Sequence, residues 1–288
     1  MPYLYLILAT LGIASTNVIA AFYNRKNANE KNTSSIYTLL VQTAIFLCWL
    51  VLFLFDGSYD LAVLPYAFII AIFFTMCMVG NIYALKTGPV VLTSLALQLS
   101  LVGVTAWGFF FWGTQFTWLT AIGVVLVVIS LWLCLYKGKT DDKKISWKWI
   151  VFALMAFVGN AVSSITQRTQ QTAFNGQYGN FLMVVATGLS AIICFVLYLR
   201  GEKGDTKKLV KTSWYYPVLG GMMNVMLNVC VILLATSTLS PSIIYPVLAV
   251  GGLIIVTVFS KYVFKEDMRW WQWLGVLIGT LAVGILSV

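Results

Sequence analysis

Histidine is absent from the 288-residue sequence, which removes the side chain most often used as a general base or metal ligand near neutral pH. Acidic residues number nine, and each of them (Glu30, Asp56, Asp60, Asp141, Asp142, Glu202, Asp205, Glu266 and Asp267) falls in a polar link between apolar runs. No apolar run therefore carries the buried carboxylate that a proton-driven exporter of cations uses to trade proton for substrate. The five cysteines, Cys48, Cys77, Cys134, Cys194 and Cys230, stand singly inside apolar runs. They lack the paired spacing of a zinc or redox site and are expected to pack or to face lipid. No nucleophile, base and acid occur as a group, so an enzyme is not expected, nor is a cofactor or a metal.

Charge is scarce altogether, at 9% of residues with a net charge of +9. Nearly all of it sits in short links, where basic residues act as topology determinants and not as a nucleic-acid surface. What is abundant is apolar: 60% of residues are hydrophobic and the mean hydropathy is +0.91, too apolar for a water-soluble globule. The runs are apolar on every side for about twenty residues, which fits spanning helices and not the alternating strands of a membrane barrel. Taking about twenty residues per span, the sequence predicts helices over Tyr3–Tyr23, Thr33–Phe55, Leu61–Leu85, Pro89–Trp112 and Phe116–Tyr136. A second group follows over Trp147–Gln167, Asn180–Leu199, Trp214–Ser237, Pro241–Phe264 and Trp270–Val288. Met1–Tyr23 lacks a basic leader and a small-residue cleavage site and is expected as a first span, not a signal peptide.

The chain repeats itself. A shift of 152 residues places Pro89 on Pro241, Thr105 on Thr257, Trp118 on Trp270 and Gly123 on Gly275. A shift of 147 places Gly12 on Gly159, Ala14 on Ala161, Thr16 on Ser163 and Asn17 on Ser164. The expected organisation is a first five-helix repeat over residues 1–136, a charged linker over 137–146 and a second five-helix repeat over 147–288. An odd number of spans per repeat turns the second over relative to the first. The expected fold is thus an all-α polytopic membrane protein of ten transmembrane helices in two inverted repeats, an arrangement that in transporters places the substrate near the midplane between repeats.

Seventeen of the eighteen Lys and Arg residues follow odd-numbered spans, and only Arg168 follows an even one. The positive-inside rule puts those links in the cytoplasm and both termini outside. A multi-pass protein of a prokaryotic plasma membrane is expected. The groups Trp147–Trp149 and Trp270–Trp273 lie beside basic links, as an interfacial aromatic belt does. Gly275 and Gly279 form a GxxxG pair suited to a close helix contact, within the chain or in a homodimer.

A polar side chain inside hydrocarbon either bonds another helix or lines a wet cavity. Candidates for the second role are Asn17, Gln42, Asn81, Gln98, Asn160, Ser164, Asn224 and Asn228, joined by the aromatic residues Tyr83, Trp107 and Tyr245. The spacing of Asn160 with Ser164, and of Asn224 with Asn228, places each pair on one helical face. At 1.5 Å per residue Gln98 stands about 13 Å past Pro89, near the middle of a core about 30 Å thick. The fifth and tenth spans are almost bare of polar groups, so the other eight are expected to surround a cavity.

Two corners carry a further resemblance. Ala84 to Val90 with Trp118 and Gly123, and Ala235 to Ile243 with Lys265-Glu266-Asp267, Trp270 and Gly275, resemble the EamA-like branch of the drug/metabolite transporter superfamily over nearly the whole chain. The family's Gly-Glu signature before its last span is degraded here to Gly113-Thr114 and Lys265-Glu266. The resemblance implies a carrier of amino acids, aromatic metabolites, nucleotide sugars, amines or drugs, with both termini in the cytoplasm, the reverse of the charge-based orientation. The expected function is a secondary transporter or facilitator that moves a small neutral, zwitterionic, aromatic or amine-type solute by alternating access. Its partners are that small molecule and the lipid bilayer. The alternative is a non-transporting scaffold or regulatory subunit, in which every amide would be bonded to another helix.

Overall fold

The computed structural model describes residues 2–113, 117–135, 146–201, 206–265 and 270–286. The expected linker 137–146 lies outside the described residues except for Ser146, as do Thr114, Phe116, Tyr136, Glu266, Asp267 and Val288. The described chain is helical, with no strand among the described residues. Its helices are α1 (Pro2–Lys26), α2 (Thr33–Asp56), α3 (Leu64–Thr87), α4 (Val90–Phe111), α5 (Trp118–Leu135), α6 (Trp147–Ala173), α7 (Gly179–Arg200), α8 (Thr206–Ser213), α9 (Tyr215–Ala235), α10 (Pro241–Tyr262) and α11 (Trp270–Leu286). Seven of them are long and apolar enough to cross a membrane. Their outward residues are apolar too, Phe55 and Phe110 being more than four-fifths exposed. The chain is an all-α membrane protein.

Turns fall where the sequence supplies stops. Gly57 ends α2 in the left-handed conformation (φ 65°) and its N–H bonds the Phe53 carbonyl, a cap that a residue with a Cβ adopts only under strain. Pro89 and Ser240 precede α4 and α10 in extended backbone. Two elements differ from expectation. Helix α6 runs on past Gln167 to Ala173 through Thr169, Gln170 and Gln171, a polar extension that hydropathy does not mark. Helix α8 is short, with Leu209 and Ser213 buried, and it is held by Lys208 Nζ to Glu30 at 2.6 Å and by Ser213 Oγ donating to Asn27 Oδ1 at 3.2 Å.

Eight helices close a ring in the order α1, α9, α2, α7, α3, α6, α4, α10, each touching the next and α10 returning to α1. Helices α5 and α11 pack on each other outside the ring, against α4 and α10. Gly275 and Gly279 serve that outer contact within the chain: Ser130 Oγ of α5 donates to the Gly275 carbonyl at 2.6 Å, and a Cβ on Gly279 would stand 2.6 Å from the same oxygen. Their face packs against α5.

Contacts sort the chain into two ends. At one end Arg25 bonds the Phe264 carbonyl, Lys26 bonds Thr212, Lys86 bonds Thr33 and Lys208 meets Glu30. At the other, Asn180 Nδ2 donates to Asp56 at 3.0 Å and Arg168 lies over the Trp112 ring. The corner at Gly88 belongs to the basic end, where Trp149 covers it so closely that a Cβ would stand 2.2 Å from the indole. Trp149 is buried and donates to Thr93 Oγ1 at 3.0 Å, so it departs from the interfacial belt, whereas Trp147 and Trp270 stay exposed. The corner at Thr236 touches Gly176, beyond the far end of α6.

Candidate functional site

The ring encloses a central cavity in which water centres can occupy about 120 Å³. Helix α1 contributes Ile13, Thr16, Asn17 and Ala20; α6 contributes Asn160, Ser163, Ser164 and Gln167. From α3 come Ile70, Phe74, Cys77, Met78, Asn81 and Ile82, and from α9 Gly220, Asn224, Leu227, Asn228 and Val231. Helix α2 adds Tyr37, Thr38 and Val41, α4 adds Leu97, Gln98 and Leu101, α7 adds Met183, and α10 adds Tyr245 and Leu248. The lining holds carboxamides and hydroxyls and no Asp, Glu, Lys or Arg.

Some of these polar groups are bonded to one another. Asn81 Nδ2 donates to Asn17 Oδ1 at 3.1 Å, joining α3 to α1, and Asn160 Nδ2 donates to Ser100 Oγ at 2.7 Å, joining α6 to α4. Asn228 Nδ2 reaches back 2.9 Å to the Asn224 side-chain oxygen. Others have no partner among the described residues although buried: Gln98 Nε2, Asn81 Oδ1 and Ser163 Oγ. A buried polar atom without a partner costs free energy unless water or a ligand supplies one. Gln98 is only 1% exposed, and its amide occupies the side of Gly252 where a Cβ would meet Nε2 at 2.8 Å.

Aromatic groups bracket the cavity. Toward the basic end the Tyr37 ring packs on Tyr23, their centroids 4.7 Å apart, and Tyr23 meets Tyr216. Beyond them the Arg25 guanidinium sits 4.2 Å from the Phe264 ring centre. Toward the far end Tyr245 lies beside Trp112, and Arg168 stacks over Trp112 at 5.6 Å.

Eight of the eleven sequence candidates meet here: Asn17, Asn81, Gln98, Asn160, Ser164, Asn224, Asn228 and Tyr245. Three lie elsewhere. Gln42 is buried between helices and donates to Ser190, which also bonds Thr75, so it ties α2, α7 and α3 together. Tyr83 bonds Ser35 at 3.0 Å and stacks on Phe152. Trp107 stacks on Phe111, 40% exposed on the outer surface, where the rotation of α4 turns it toward lipid. Tyr37 and Thr38 line the cavity as well, hidden in the sequence among the polar residues that open α2, whereas Gln167 continues the polar stripe that runs from Asn160 through Ser164.

No family model matches the chain. An uncharacterized protein of Sinorhizobium fredii, y4nH, is 29% identical over 107 residues, which are 36% of this chain and 90% of that protein. That relative is therefore shorter than half of this chain. A solved crystal structure of another protein matches 97% of this chain and 98% of its own at a TM-score of 0.65 and 12% identity, a likeness of fold.

Proposed function

We propose that the chain is a secondary transporter or facilitator, similar to the EamA-like drug/metabolite carriers, whose ten spanning helices form two inverted repeats that expose the central cavity to each side in turn. The observation that carries this reading is the register of the cavity lining. The residues α1 contributes, 13, 16, 17 and 20, and those α6 contributes, 160, 163, 164 and 167, are related one for one by a shift of 147. Ile70, Phe74, Cys77, Met78 and Asn81 of α3 are related to Gly220, Asn224, Leu227, Asn228 and Val231 of α9 by a shift of 150. A packed scaffold has no reason to keep these four helices in register around a cavity.

Other contacts repeat in the same way. A Cβ on Gly12 would meet Leu227 and the Met223 carbonyl, and one on Gly159 would meet Cys77 and the Phe73 carbonyl; the shift of 150 carries Cys77 to Leu227 and Phe73 to Met223. Trp112 and Phe264, which the 152 shift pairs, each carry an arginine over the ring, at opposite ends of the bundle. Exchanging the first five long helices for the last five maps α1 against α9 onto α6 against α3, and α4 against α6 onto α10 against α1. A relative shorter than half the chain fits a protein built from two such units. With the basic residues gathered at one end, the positive-inside rule places that end in the cytoplasm and the N-terminus outside.

Purified protein in liposomes provides the test, by uptake of radiolabelled amino acids, amines, sugars and small aromatic compounds. Saturable uptake of at least one solute is expected, abolished by filling the cavity with Ser164→Trp. Absence of uptake and exchange across the panel rejects transport.

A further inference from the structure

Across α1/α6 and α3/α9 the lining keeps its register but not its polarity. Where α6 and α9 place Asn160, Gln167, Asn224 and Asn228 in the cavity, the related positions of α1 and α3 hold Ile13, Ala20, Phe74 and Met78. At these four positions the second half carries carboxamides and the first half apolar side chains, although Asn17, Asn81 and Gln98 bring carboxamides from the first half at other positions. A carboxamide offers one donor side and one acceptor side whichever way it is turned. In the cavity wall Gln98 Nε2 and Asn81 Oδ1 are buried with no partner among the described residues.

We propose that the cavity is a binding site for an uncharged solute that joins an apolar ring to a carboxamide-like group bearing both a donor and an acceptor. The ring packs against Ile13, Phe74 and Met78; the amide end is held by Asn224 and Asn228. An ammonium or a carboxylate brought to the same place loses its hydration and finds no opposite charge in the lining, a loss that amide dipoles only partly replace. Arg168, a positive group near the far mouth, is engaged with Trp112 and is not part of the lining. Zwitterions and amines are excluded on the same ground. The inference rests on reading the cavity as the transport site, and it narrows that reading to one ligand class.

Four single-ring probes of similar size separate the alternatives: benzamide, benzylammonium, benzoate and phenylalanine. Equilibrium binding to the purified protein in lipid nanodiscs is measured for each, alongside exchange of the labelled probe across liposomes. Benzamide is expected to bind, with each charged probe weaker by about tenfold or more. Asn228→Met, which installs the residue found at position 78, is expected to weaken benzamide by about tenfold, as does loss of a hydrogen bond within a protein site. Trp107→Leu, on the outer surface, is expected to leave benzamide binding and its preference over benzylammonium intact. The ligand class is overturned if any charged probe binds as tightly as benzamide, or if benzamide does not bind while the protein remains folded by thermal melting. Benzamide binding without exchange leaves the ligand class standing and rejects transport. Exchange of benzylammonium or phenylalanine without benzamide binding does the reverse.

Discussion

A Cβ added to Gly159 would lie 2.5 Å from the Phe73 carbonyl oxygen and 2.6 Å from the Cys77 amide nitrogen. Both are backbone atoms of α3, which cannot swing aside as a side chain can. The close approach is what brings Asn160 and Ser163 on α6 within reach of the cavity. Overpacking of this kind costs about 1–3 kcal/mol, so Gly159→Leu should lower the melting temperature in detergent and reduce probe binding together. Gly103 on α4 has open space around it, and Gly103→Ala should leave the melt unchanged or raise it slightly; equal destabilisation by both would remove the packing argument. At this scale the sequence is legible in part. Asn17, Gln98 and Asn224 stand out because a carboxamide inside an apolar run needs a reason. Gln42 stands out equally, yet it bonds Ser190, because the rotation of α2 about its axis decides whether an amide meets a cavity or a neighbour. That rotation is set by packing across the ring and leaves no mark on the local sequence.

Among the elements, the positions of the long helices are readable from hydropathy, since each needs about twenty apolar residues. Helix α8 is not, because TKKLVKTS is too short and too polar to register, and its helical form depends on Glu30 and Asn27. The order of helices around the ring is hidden as well; only the internal repeat hints at it, by pairing Gly12 with Gly159. The two arginine–aromatic contacts act at this scale. Arg25 with Phe264 draws α1 to α10 at the basic end, and Arg168 with Trp112 draws α6 to α4 at the other. A cation over an aromatic face contributes about 0.5–2 kcal/mol, which shifts a two-state balance by about two- to thirtyfold. Trp112→Leu should therefore speed labelling of Ser164→Cys by a membrane-impermeant thiol reagent added at the Arg168 end and slow it from the basic end. Phe264→Leu should do the opposite. The measurement uses a chain whose five natural cysteines are replaced by alanine, with reagent on one side at a time. Movement in the same direction for both variants would show that these contacts are ordinary packing.

For the molecule as a whole, the shift that relates the halves grows along the chain, from 147 at α1 and α6 through 150 at α3 and α9 to 152 between Pro89 and Pro241. Each change falls between the compared positions, while within α1/α6 and within α3/α9 the lining positions keep a constant offset. The physical reason is angular. One residue inserted in a helix turns everything beyond it by about 100°, since a turn takes 3.6 residues. An alanine inserted after Gly159 would swing Asn160, Ser163, Ser164 and Gln167 away from the cavity and bring a lipid-facing side inward. The same insertion between Gly57 and Ser58, in the link after α2, turns nothing. Probe binding should vanish in the first variant and persist in the second. The α-helix thus behaves here as a ratchet with coarse teeth: the chain can lengthen freely in its links, but within a span a single residue is already more than a quarter of a rotation out of phase.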